Sequence, residues 1–175
     1  MISEENFRKT EGRLYRYYLQ KNQIKKLKHK TLVLYEHKKA IEKDLRETNI
    51  HIEPESKSID YSEKVQNSSS GISYAEGAAI KEIEKLQREF TATTKHILKT
   101  HAKVRELERD IVDTEYIIGL LNEECKQFSE LKYGEKKSIY EIADRLNMGK
   151  STAARRREEI VTDVSNMFFN KYDYY

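Results

Sequence analysis

From Ile83 onward, the residues Ile83, Leu86, Phe90, Thr93, Ile97, Thr100, Val104, Leu107, Ile111, Thr114, Ile118 and Leu121 recur at gaps alternating between three and four. A helix that is merely amphipathic turns once per about 3.6 residues, so its apolar stripe drifts off such a register by about 20° per heptad. A register kept without a slip therefore asks for a coiled-coil partner along its length. At about 1.5 Å per residue the seam runs for about 60 Å. Left alone in water it would forgo the burial that makes a long helix stable. The partner is either an earlier helix of the same chain folded back antiparallel, or a second copy.

Residues 5–48 offer that earlier helix. They hold no proline, and Leu14, Tyr17, Ile24, Leu27, Leu34, Ile41 and Leu45 follow a similar three-four spacing, interrupted by Gln20, Thr31 and Lys38. With seven well-placed apolar residues against the longer second seam, this helix looks insufficient as a cover, so a dimer or larger homo-oligomer is expected. Between the two helices, residues 49–72 contain Pro54 and the run Asn67-Ser68-Ser69-Ser70-Gly71, which cannot continue a helix. They read as a connector between antiparallel helices. Ser73 and Glu76 then stand in the S-x-x-E relation that satisfies free amides at a helix start.

Composition agrees with rods rather than a thick core: 36% of residues are charged, 37% hydrophobic, and there is one proline. The expected organisation is all-α. Residues 1–121 form a long helical region containing the 49–72 connector, 122–168 a tri-helical domain, and 169–175 an aromatic tail.

The tri-helical expectation rests on residues 138–157, SIYEIADRLNMGKSTAARRR. Ser138 and Glu141 form a capping box, Ile142 and Leu146 an apolar stripe, and Ala143 the small residue that a crossing helix requires. Asn147 sits where a tight corner demands positive φ, which Asn tolerates. Met148 plugs the corner, and a second helix opens at Gly149–Lys150. Ahead of this hairpin, Asn122-Glu123-Glu124 starts another helix, with Phe128 and Leu131 on its apolar face, giving helices at 122–132, 138–146 and 150–168. This is the plan of a helix-turn-helix, whose second helix enters the DNA major groove by its first residues. On that geometry Lys150, Ser151, Ala154 and Arg155 face base edges, and an arginine there can grip guanine with two hydrogen bonds. Thr152, Arg157, Lys136 and Lys137 are placed to hold phosphates, which gives affinity without sequence information. The competing description is a helical hairpin with a solvated basic end. Ala153 and Arg156 favour it, because larger apolar residues usually anchor such a helix there.

Other chemistry is poorly represented. Cys125 is the only cysteine, His29, His37, His51, His96 and His101 lack metal-ligand spacing, and Gly149-Lys150-Ser151-Thr152 imitates only the end of a phosphate-binding loop. No paired carboxylates or nucleophile set suggests an enzyme, and no cofactor or metal is expected. No apolar run approaches a membrane span, and MISEENFRKTEGR lacks the apolar core of a secretion signal, so a cytoplasmic protein is expected.

The segment Phe128 to Val164, containing LKYGEKKSIYEIADRLNMGKSTA, resembles the last helix-turn-helix domain of bacterial sigma-70-type factors, region 4, which reads the −35 promoter element. With its long helical first half, the chain is similar to the RinA/ArpU-type late-gene transcriptional regulators of Gram-positive phages and prophages. The stretch Tyr61 to Ser68, followed by Ala75-Glu76, also resembles that group. The resemblance implies an activator that binds double-stranded promoter DNA at the nucleoid of a bacterial host, in contact with host RNA polymerase, with base reading on Lys150, Ser151 and Arg155. Two alternatives stay open: a phage small terminase subunit that marks DNA for packaging, and a purely structural coiled-coil scaffold.

Overall fold

The computed structural model describes residues 2–47 and 74–169. The connector expected over 49–72, Ser73 of the second capping box and the tail beyond Phe169 lie outside the described residues. The fold is all-α, with no strand among the described residues. In order come α1 (Glu4–Glu47), α2 (Tyr74–Gly119), α3 (Glu123–Ser129), a π-turn (Glu130–Gly134), α4 (Ile139–Arg145) and α5 (Lys150–Phe169). No helix among these residues is long and apolar enough to cross a membrane.

The chain forms two compact units, residues 29–102 in one, and residues 1–28 with 103–175 in the other. In the first unit α1 and α2 run antiparallel, as Tyr35 meets His101 and His37 meets Glu89 at 2.9 Å. The seam is on the covered face: Thr31, Ile41, Thr93, Ile97 and Thr100 are buried, and Ile83, Leu86 and Phe90 half-buried. A threonine can occupy such a position because its hydroxyl turns back onto its own helix. Thr100 donates to the His96 carbonyl at 2.9 Å. Lys38, one of the polar interruptions, lays its ammonium over the Phe90 ring, 4.9 Å from the centroid.

In the other unit the same two helices again run antiparallel, with Lys28 paired to Glu108 and Lys21 to Glu115. Leu14, Tyr17 and Ile24 of α1 are buried in one cluster with Val104, Leu107, Ile111 and Ile118 of α2. Gln20, another polar interruption, reaches Asp110 at 3.4 Å. The interruptions in the first seam therefore do not leave the second seam wet. Within each unit, α1 and α2 of one chain cover it. Long polar side chains of α1 supply part of that cover.

The same buried cluster takes in Phe128, Ile142, Ala153, Ile160, Val161 and Val164 from the shorter helices. A domain boundary at 121/122 is therefore not what the contacts show: the trihelix folds onto residues 1–28 and 103–121. Each fully buried aliphatic or aromatic side chain here contributes about 1.5–3 kcal/mol relative to exposure.

Local chemistry sets the corner. Asn122 caps α3, its side chain accepting from the Cys125 amide at 2.8 Å. At α4 both halves of the capping box are made: the Ser138 amide donates to Glu141 at 2.8 Å, and the Glu141 amide to the Ser138 hydroxyl at 3.3 Å. These bonds, with Lys137 beside them, hold the Glu141 carboxyl down to about 2. Asn147 has φ of 50°, and the next amide, Met148, reaches back to the Ala143 carbonyl at 2.9 Å. This is a Schellman-type helix end, with asparagine in the left-handed position.

The first short helix differs from the expected 122–132. It is α-helical only to Ser129 and then widens, the Glu135 amide bonding to the Glu130 carbonyl at 2.9 Å. The wider turn swings Tyr133 into the core and brings Gly134 against Tyr18, where a Cβ would stand 3.1 Å from Tyr18 Cδ1. We expect Gly134→Ala to destabilise the fold by about 1–3 kcal/mol, the usual cost of overpacking. Urea titration measures this, and a change within error of zero would show that Tyr18 gives way freely.

Candidate nucleic-acid interface

Helix α5 has two faces of different chemistry. Ala153, Ile160, Val161, Val164, Ser165 and Phe168 are buried. Lys150, Ser151, Thr152, Ala154, Arg155, Glu158 and Glu159 are exposed. All four expected base-facing residues, Lys150, Ser151, Ala154 and Arg155, are exposed, as is Thr152, and Ser151 and Arg155, one turn apart, share the face turned away from the buried side of α5. Ala153 is fully buried. Its small size, like that of the buried Ala143, suits the packing of α4 on α5. Arg156 keeps its head at the surface, donating to Glu124 at 3.3 Å and toward the Cys125 sulfur at 3.8 Å.

Arg157 is the correction. It was expected to hold a phosphate, but its guanidinium forks onto Glu11 of α1, with Nε and Nη2 at 2.8 and 2.7 Å from the two carboxylate oxygens. It also stacks over Phe7, 5.2 Å from the ring centroid. The Tyr133 hydroxyl donates to the same carboxylate at 3.1 Å. Two residues along α5, a rotation of about 200°, separate the outward Arg155 from this inward-facing side chain, a difference that a count of basic residues does not reveal. Burial alone would raise the Glu11 pKa, but the bonds from Arg157 and Tyr133 outweigh it and hold the carboxyl below its ordinary value. The Tyr133 phenol is pushed well up, first by burial and then by Glu11.

Lys136 is exposed and has φ of 58°, a left-handed conformation unusual for a lysine. Lys137 is half-buried and pairs with Glu141 at 3.3 Å, whereas Lys136 is exposed and makes no ion pair among the described residues. Sequence reasoning passed over Tyr140, 71% exposed in the first turn of α4. An aromatic next to the apolar Ile139 was the available signal, since only one of the two can face the core. It also passed over Arg145, which is tied to Glu135 at 2.7 Å.

The electrostatics of α5 run against helix stability. Its first turn carries no acid and opens on Lys150, where the helix dipole favours negative charge, with Arg155, Arg156 and Arg157 following in the next turn. An arrangement that costs stability in isolation becomes favourable when an anion approaches that end. Among the described residues no group of three His, Cys, Asp or Glu side chains could hold a metal ion. Compared with protein-family models, with curated proteins and with solved structures, the chain matches none.

The Glu11 contact yields a pH prediction. The carboxyl has a lower pKa folded than unfolded, so its contribution is fully present above pH 4.5 and is lost as pH falls through the depressed folded value. Glu11→Gln should cost about 2 kcal/mol at pH 7. The gap between its melting temperature and that of the wild type should narrow as melting is repeated at pH values progressively below 4.5. A gap independent of pH would place the loss in packing instead.

Proposed function

We propose that this chain is a sequence-specific DNA-binding protein that acts as a transcriptional regulator of the RinA/ArpU type, inserting the start of α5 into the major groove. The observation carrying this reading is the outward set Lys150, Ser151, Thr152, Ala154 and Arg155, presented behind a corner closed by Asn147 at positive φ. The inner face of α5 is held by Arg157 and the buried apolar residues, so the outer face is presented on a rigid support. Lys136, exposed ahead of α4, serves as a phosphate contact. On this reading the protein works in the bacterial cytoplasm on promoter DNA, and contact with RNA polymerase follows from the activator role rather than from any surface described above.

Selection of bound sequences from random duplex DNA tests the reading. The wild type should yield a defined motif, and Arg155→Ala should relax one base position, a loss of about 1–3 kcal/mol in discrimination. Lys136→Ala should weaken binding to all sequences alike and reduce the salt slope of log K by about one. Weak binding to every sequence, abolished by moderate salt, would return the chain to the scaffold reading.

A further inference from the structure

Arg155 does not stand alone on the outer face of α5. Its Nε lies 3.6 Å from Glu159 Oε1 one turn on, and both side chains are largely exposed, at 74% and 55%. Helix stability gains less from the pair in this order. An i,i+4 pair is better with the acid first, and here the base comes first. The core does not explain the pair, since Ile160 and Val161 are buried while Glu159 points outward. Arg156, the next basic residue, is engaged with Glu124 and Cys125.

The geometry has a consequence for recognition. A carboxylate on the Nε side attracts the guanidinium toward it without occupying its terminal nitrogens. Those two nitrogens are the donors that match the N7 and O6 acceptors of guanine. Any bias of the arginine toward this orientation lowers the freedom it gives up on binding. The carboxylate also repels phosphate, so it penalises placements of the helix in which the arginine finds no base. We propose that Glu159 is a positioning residue for Arg155 and that the pair makes the protein select a guanine in its DNA site. This rests on the DNA-binding reading above and deepens it.

The experiment uses the full chain and the duplex obtained by selection. Dissociation constants are measured for that duplex, for the same duplex with the Arg155-dependent guanine changed to adenine, and for a random duplex. Wild type, Arg155→Ala and Glu159→Gln are compared. The wild type should prefer guanine over adenine by about 5- to 150-fold. In Glu159→Gln that ratio should fall several-fold while binding to random duplex strengthens, and the melting temperature should stay within error of wild type. A guanine ratio unchanged in Glu159→Gln but abolished in Arg155→Ala overturns the positioning role and leaves the DNA reading standing. A ratio insensitive to Arg155→Ala, or no duplex binding at all, removes both.

Discussion

Glu11 is the point on which the orientation of the candidate DNA-reading helix depends. Its carboxylate receives the fork of Arg157 from α5 and the hydroxyl of Tyr133 from the π-turn, so a single side chain of α1 ties down two other elements. A partly buried ion pair of this kind contributes modestly to net stability, because desolvation offsets much of the attraction. Its geometric effect is larger. Planar bidentate contacts accept little rotation, so they set which face of α5 turns inward. Once Arg157 faces α1, the helical period of 3.6 residues puts Ser151 and Arg155 on the opposite side.

The apolar contacts work toward the same end. Ile160, Val161, Val164 and Phe168 follow Arg157 along the buried face of α5, and Arg13 of α1 covers the Phe168 ring, 4.7 Å from its centroid. Ala153 lets α4 pack closely, and the Asn147 corner sets the angle at which the chain leaves α4. The corner and the inner face are thus supported independently. The outer face is left to surface chemistry alone, where Lys150, Arg155, Glu158 and Glu159 carry the charge.

Much of this was legible in the residues. The heptad positions of both long helices lie on covered faces, and the capping box at Ser138, the cap at Asn122 and the positive φ at Asn147 all occur where the sequence places them. These are local effects: each depends on residues within about a turn of one another. The π-turn was not legible, because a bond to the fifth residue leaves no periodic mark over five positions. The lysine at positive φ follows from that turn and was hidden with it. The fate of Arg157 was hidden for a different reason, since its partner lies far away in sequence.

What the sequence by itself determined is the all-α class, the antiparallel seam as one of two options, and a basic helix behind a tight corner. Periodicity and capping decide these over a few residues at a time. Only the tertiary structure decided that α1 and α2 cover each other's seams within a single chain, and that the trihelix packs on their ends. It alone decided that of two nearby arginines, Arg155 faces outward and Arg157 inward. Those outcomes depend on which distant side chains meet. The pairing of Glu11 with Arg157, across most of the chain's length, has no counterpart in any local pattern.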